Sequence, residues 1–389
     1  MPRFPEIAQR VQRVPASVFE RFRKKMKEKG SYLIHLHIGD TYLHPRYDLP
    51  VSPDFMKKRP YFNRYCNTFG VERFRRVLKD KLREDNGFDV SEENILATNG
   101  ATNALSASVL SLMNPTEEIL VLTPCWPFFP GMVEMADAKV VEVPFYTQLY
   151  QKPDLAITDY LQKFMSSNTV AIYLNTPNNP SGKVLNRSQL QQLADFAKKN
   201  KLWIISDEAY DGLVFDQHEH LCIATFPGLF EQTISIFTFS KSFMFAGLRL
   251  GYLVADESVI QSINKTMVHQ LYSPSTLSQY MMVQPVRDRH QWIPALCQEY
   301  QELRDKFIEE LNFDVHPPEG TYFLFFSIAD LLQGRDYWEV IDSFLEAGVS
   351  VAPGEDFGNG FENYIRICFT GEPPERLKSA IDRINHVLA

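Results

Sequence analysis

Residues 170–210 read VAIYLNTPNNPSGKVLNRSQLQQLADFAKKNKLWIISDEAY, and this stretch decides the fold class. An apolar run, Val170–Asn175, leads into a loop stiffened by two prolines and a glycine. A helical pattern, Arg187–Asn200, and a second apolar run, Trp203–Asp207, follow. Runs that are apolar through their length are what strands buried on both faces require. The alternation continues on both sides. Upstream lie the strand pattern Ile95–Thr98, the helical pattern Ala101–Met113, and the strand patterns Ile119–Thr123 and Val140–Val143. Downstream lie Ser235–Phe239 and Gly251–Ala255. The expectation is an α/β fold, with a mainly parallel seven-stranded sheet covered by helices on both faces.

From about Val283 the texture changes. A long charged helical pattern, Arg287–Leu311, runs into HPPEGTYFLFFSI. A second helix, Tyr337–Ala347, then a short strand and YIRICF complete the chain's last part. Helix, strand, helix, strand reads as a smaller α+β domain, and the first forty residues are expected to pack with it. The predicted division is a large domain over 46–285 and a small domain from 1–45 and 286–389. The basic run Arg21–Lys29 reads as a solvated helix face. The sequence has no internal repeat and no low-complexity tract.

Composition narrows the function classes. The 389 residues are 44% hydrophobic and 23% charged, ordinary for a globular protein. With 40 Lys+Arg against 48 Asp+Glu the net charge is −8. An acidic chain carries no electrostatic footprint for nucleic acid or an anionic membrane, so neither is an expected partner. No apolar run approaches the ~18 residues of a membrane span. The start, MPRFPEIAQRVQRVPASVFERFRKK, lacks the apolar stretch of a signal peptide. Cys66, Cys125, Cys222, Cys297 and Cys368 form no C-x-x-C pair, so zinc and redox motifs are absent and no metal is expected. Together these features predict a cytoplasmic location.

Four segments carry the chemistry, each just past a predicted strand, where ligands of open α/β sheets bind. Thr98-Asn99-Gly100-Ala101-Thr102-Asn103 opens a helix, whose first N–H groups suit an anion. Asn175 to Gly182 holds side-chain amides at fixed angles, fit to donate to a phenolate. Ser206-Asp207-Glu208-Ala209-Tyr210 puts a carboxylate at a strand end, where burial demands a cationic partner such as a protonated pyridine nitrogen. Thr238-Phe239-Ser240-Lys241-Ser242, with Arg249 following, surrounds one amine with hydroxyls and a guanidinium, suited to a phosphate dianion. Taken singly, these also read as a turn, a rigid loop, a helix cap and a surface lysine.

Together, in this order and spacing, NTPNNPSG, DEAY and SKSFMFAGLRLG resemble the fold type I pyridoxal-phosphate enzymes, specifically the class I/II aminotransferases related to aspartate aminotransferase. The resemblance runs from Ile38-Gly39-Asp40 to Tyr364-Ile365-Arg366, and GTYF and APGEDFG also fit the family pattern. It implies that Lys241 holds pyridoxal 5'-phosphate as an imine and, once displaced by substrate, acts as the general base. Asp207 then pairs with the pyridine nitrogen. Asn179 and Tyr210 hydrogen-bond the phenolic oxygen, which helps set the pKa of the imine. Gly100, Ala101, Thr102, Thr238, Ser240 and Arg249 receive the phosphate. Trp126 stacks on the ring. Arg366 clamps the substrate α-carboxylate, with Asn179 beside it, and Gly39 is small enough to admit that group. Tyr65 reaches the phosphate of a neighbouring subunit, which implies a homodimer with sites at the interface.

The reaction so implied moves an amino group between an α-amino acid and a 2-oxo acid, with Lys241, Asp207 and Tyr210 catalytic. The alternative on the same scaffold is a C–S β-lyase or other eliminating enzyme. Such lyases often carry His where Tyr210 stands, so DEAY favours transamination. A regulator with a fused DNA-binding domain does not fit the thirty residues before the resemblance begins. Departures from the family are small. Ser181 stands where Thr is common, and Asn114-Pro115-Thr116-Glu117-Glu118 replaces a Pro-Gly-Asp-Glu turn. The stretch HQLYSPSTLSQ has no arginine, where one dicarboxylate-specific branch carries its side-chain-binding arginine. The expected donor range is therefore broad, or neutral and aromatic, with 2-oxoglutarate or pyruvate as acceptor.

Overall fold

A computed structural model describes residues 4–14, 18–49, 52–59 and 61–389. The side chains of 18–21 are not among those described, so Arg21 within the basic run lies outside the described residues. The large sheet has seven strands, in the order Ile95–Thr98, Gly251–Val254, Thr233–Thr238, Trp203–Asp207, Thr169–Asn175, Glu118–Thr123 and Lys139–Pro144. Pairing is parallel from Thr233–Thr238 through to Lys139–Pro144. Gly251–Val254 alone runs against its two neighbours. The expected mainly parallel α/β sheet is present, with strand ends within two residues of the sequence reading.

Burial on both faces explains the unbroken apolar runs. Val121, Tyr173 and Ile205 point to the face covered by helix Gly100–Leu112. Leu120, Leu122, Ile172 and Ile204 point to the face covered by helix Arg187–Asn200. The latter helix starts where Asn186 accepts from the Gln189 backbone while the Gln189 side chain accepts from the Asn186 backbone, at 2.9 and 3.1 Å. Removing that reciprocal cap costs about 1 kcal/mol. Register then aligns the functional strand ends: Asn175 lies opposite Asp207, Asp207 opposite Ile236, and Thr238 opposite Gly251.

The remaining sheets are small. Ala352–Pro353, Tyr364–Cys368 and Phe323–Ser327 pair antiparallel, and Ile34–His35 pairs parallel with Val349–Ser350. Three local expectations are corrected. The pattern Arg287–Leu311 is not one helix. The first helix ends at Arg287, a 3-10 turn spans Arg289–Gln291, and a second helix runs over Ile293–Glu309. Pro294 lacks an N–H and so belongs in a first helical turn, while Arg289 is drawn inward to Glu84 and Asp85 at 2.7 and 2.6 Å. The proposed boundary at 285 therefore falls inside a helix, at Pro285. Next, Gln9–Arg13 packs on helix Phe128–Met135 of the large sheet's helical layer, with Arg13 paired to Glu134 at 3.3 Å and to Asp137. Finally, the basic run is not wholly solvated: Lys25 and Lys29 pair with Asp342 and Glu346 at 2.9 and 2.6 Å.

Candidate active site

Sequence-distant strand ends meet around a cavity of about 170 Å³. Its walls include Ala101, Thr102, Trp126, Asn179, Asp207, Tyr210, Thr238, Ser240, Lys241 and Arg249, ten of the residues singled out above. Leu105, Asn175, Ala209 and Ala246 also line it. Gly100, Gly39 and Arg366 stand just behind. A Cβ on Gly100 would lie 3.0 Å from Arg249 Nη2. Tyr65 is not brought to this cavity. It is 82% exposed, its ring 4.9 Å from that of Tyr272 and edge-on to it.

Lys241 follows strand Thr233–Thr238, and its Nζ donates to Tyr322 Oη at 2.9 Å and to the Gly39 carbonyl at 3.1 Å. Its stem opens onto the cavity, but protein surrounds the rest. That desolvation, helped by the Arg366 charge, holds the amine down to about 8. An amine in that range is about a tenth neutral, and so nucleophilic, at pH 7.

Asp207 is 5% exposed. Tyr173 Oη donates to its Oδ2 at 2.9 Å and the Ala209 N–H to its Oδ1 at 3.1 Å. Burial outweighs both hydrogen bonds and pushes the carboxyl up to about 6. Among the described residues Asp207 has no ion-pair partner within 4 Å, so it matches a ligand that brings a cation. Asn175 Nδ2 donates to the Asp207 carbonyl at 2.8 Å, tying the two strand ends together.

At the opposite wall, helix Gly100–Leu112 begins without a side-chain cap, leaving its first N–H groups to whatever occupies the cavity. Thr238 Oγ1 donates to Ser240 Oγ at 3.0 Å, and Arg249 rises beside them from the following turn. Free N–H groups, two hydroxyls and a guanidinium form a donor set matched to a phosphate dianion.

Arg366 is 6% exposed, with Nη1 donating to Asn179 Oδ1 at 3.0 Å and Nη2 to the His37 carbonyl at 2.6 Å. Its Nε has no hydrogen-bond partner among the described residues, and the two acceptors it does meet are an amide and a backbone carbonyl. A buried guanidinium with a free donor is an incomplete carboxylate fork. Phe323 lies on it, 4.2 Å from its carbon to the ring centroid. A Cβ on Gly39 would stand 2.6 Å from Phe323 Cζ, so the small residue is needed for that packing as well as for access. Tyr322, Tyr173 and Asn175 were not singled out by sequence. Tyr322 lies in the noted GTYF segment, and Asn175 begins the noted loop. Tyr173 gives no signal beyond an aromatic in a buried strand.

A parallel sheet with an amine, a buried carboxylate, an anion-binding helix start and a buried arginine at its carboxyl edge defines the aminotransferase class of fold and site. A sequence profile described as aminotransferase class I and II matches residues 43–384, and the chain belongs to that family, whose members work with pyridoxal phosphate. It is similar to the aromatic-amino-acid aminotransferase 2 of Thermococcus litoralis, 31% identical over 92% of each chain. The aspartate aminotransferase of Pyrococcus abyssi is 31% identical over 83% of this chain and 84% of that one. A double mutant of the Thermus thermophilus aspartate aminotransferase superposes with a TM-score of 0.87 at 26% identity, covering 99% of this chain and 100% of that one. The enzyme is a transaminase, and the eliminating alternative is not favoured.

Proposed function

We propose that the chain binds pyridoxal 5'-phosphate in the cavity and transfers amino groups between a neutral or aromatic α-amino acid and 2-oxoglutarate or pyruvate. The observation that carries the reading is one cavity that joins the Lys241 amine, the buried Asp207 carboxyl and the uncapped start of helix Gly100–Leu112, with the amine held down to about 8 and the carboxyl pushed up to about 6. Strongly perturbed titratable groups gathered in one cleft mark a functional site. When bound, the cofactor supplies an electron sink for the substrate's Cα.

The chain's own residues do the rest. Lys241 would hold the cofactor covalently and, once released, move a proton at Cα, its amine kept close by Tyr322. Asp207 would keep the pyridine nitrogen protonated, an anion that burial makes costly until that cation arrives. Tyr210 and Asn179 would hydrogen-bond the phenolic oxygen, and Trp126 would cover one ring face. Gly100, Ala101, Thr102, Thr238, Ser240 and Arg249 would bind the phosphate, and Arg366 the α-carboxylate. The cations at this cavity, Lys241, Arg249 and Arg366, are then all committed. None of them is left for a second substrate carboxylate, which supports a neutral side chain.

The reading extends to a homodimer in the cytoplasm, with Tyr65 serving the neighbouring site. Its exposed ring supports that role. It extends also to two domains, 46–285 and 1–45 with 286–389, with the helix Thr276–Arg287 crossing the boundary and Gln9–Arg13 reaching over to the larger part. The pairing of Ile34–His35 with Val349–Ser350 supports joining the two end segments. Borohydride reduction of the yellow protein, followed by peptide mapping, tests the core of the proposal: label on Lys241 is expected, and label on another lysine overturns it. Half-reaction spectra with each of the twenty amino acids test the donor class, and strict aspartate specificity would reject it.

A further inference from the structure

The turn that carries Tyr210 is gripped from behind. Lys81, on helix Glu72–Asn86, is 3% exposed, and its Nζ donates to Asp211 Oδ2 at 2.7 Å and to Asn86 Oδ1 at 2.9 Å. Asn86 Nδ2 reaches the same Asp211 oxygen at 3.4 Å, and Asp85 lies 3.7 Å from the ammonium. Asp211 is the residue after Tyr210. The turn is tight: the Asp211 N–H donates to the Glu208 carbonyl at 3.0 Å and the Leu213 N–H to the Tyr210 carbonyl at 2.9 Å. At its next residue the backbone leans on the segment that follows Lys241, since a Cβ on Gly212 would stand 2.9 Å from Ser242 Cβ.

Buried ion pairs are poor sources of net stability, because desolvating two charges offsets their attraction. What such a pair does supply is a fixed relative position for the two elements it joins. Here those elements are a helix outside the cavity and the turn between Asp207 and Leu213. The other titratable groups around the pair include Tyr252, Cys222, the His220–Glu208 contact at 3.0 Å, and Arg289 and His290, which meet Asp85 at 2.6 and 3.3 Å. Burial works against both charges, but their mutual attraction outweighs it, raising the Lys81 ammonium and lowering the Asp211 carboxyl from their ordinary values, so the pair stays ionised through neutral pH.

We propose that the Lys81–Asp211 ion pair is a positioning device that sets Tyr210 against the Lys241–Ser242 segment, and so fixes the phenol's hydrogen bond to the bound cofactor. The proposal rests on the reading of Tyr210 given above. Neither Lys81 nor Asp211 touches the cavity, so both act through Tyr210 and the backbone.

The test uses cofactor-loaded protein and follows the pH at which its visible absorption band changes. Losing the Tyr210 hydroxyl removes a donor from the phenolic oxygen, so Tyr210→Phe should move that midpoint upward by about one unit. Lys81→Met/Asp211→Asn removes both charges together. It should melt within ~5 °C of wild type. Its midpoint should still move upward by at least about 0.5 unit, and kcat should fall ~10-fold with KM changed less than ~2-fold. Asp211→Asn alone should move the midpoint in the same direction, and it serves if the double variant fails to fold. Lys81→Arg keeps the pair and should titrate as wild type. A double variant that titrates and turns over as wild type, while Tyr210→Phe shifts, overturns the positioning role alone. A Tyr210→Phe protein that titrates as wild type overturns the assignment of Tyr210 and the positioning role with it.

Discussion

Replacing Asp207 with asparagine should stabilise the cofactor-free protein at neutral pH while destroying its activity. The folded-state carboxyl sits at about 6 against an ordinary 3.8 because it is buried. Below the lower value both folded and unfolded chains hold the proton, and the group costs nothing. Between the two values the unfolded chain gives up a proton that the folded chain keeps, so stability falls as pH rises. Above about 6 the loss is complete, and two pKa units correspond to ~3 kcal/mol. Asparagine carries no charge and avoids that loss at every pH. The hydrogen bonds survive, because the Tyr173 hydroxyl can turn to accept from the amide while the Ala209 N–H meets the amide oxygen. The stability gap between variant and wild type should grow by ~2 kcal/mol from pH 4.5 to pH 7.5, a melting difference of a few degrees in a chain of this size. Thermal unfolding of both cofactor-free proteins at the two pH values measures it. A gap of the same size at both would refute the argument. The same variant, loaded with cofactor, should lose at least ~10³ in turnover, since no anion then holds the pyridine nitrogen protonated.

Arg366→Lys keeps the charge but not the fork, and should weaken kcat/KM for all amino and 2-oxo acids alike by ~2–4 kcal/mol. Selective loss of dicarboxylates would instead place a side chain at Arg366. Tyr322→Phe removes a hydrogen-bond partner of the Lys241 ammonium, so the amine of cofactor-free protein should titrate ~0.5–1 unit lower still. The pH dependence of Lys241 modification by an aldehyde reads this directly. A dimer of one Lys241→Ala chain and one Tyr65→Phe chain should keep about half the wild-type activity, with wild-type cofactor affinity at its working site. Retention of the weak affinity of the Tyr65→Phe parent would show that the tyrosine serves its own subunit.

The sheet was legible in the sequence because two-sided burial leaves short apolar runs, and parallel pairing forces a helix between them. The cavity's walls were legible because their residues cluster at strand ends in recognisable segments. Other features were not. Tyr173 sits inside an apolar strand and reads as core; only the register of Asn175 opposite Asp207 brings its hydroxyl to the carboxylate. The break in Arg287–Leu311 was hidden because charge periodicity continues across it, while the cause is Arg289 turning inward to a helix two hundred residues earlier. Lys81 stands among the many charges of helix Glu72–Asn86, and its burial follows from where Asp211 stands.

The pairing of Ile34–His35 with Val349–Ser350 has a consequence for biosynthesis. At ~5–20 residues per second, the early strand waits tens of seconds for its partner to leave the ribosome. The large sheet can assemble during that interval, with Asp207 and Lys241 already at its edge. Gly39 then remains unplaced, and Arg366 has yet to be made. The site proposed for the substrate carboxylate would therefore close last, and an incomplete chain would hold the half of the cavity proposed for the cofactor without the half proposed to select amino acids.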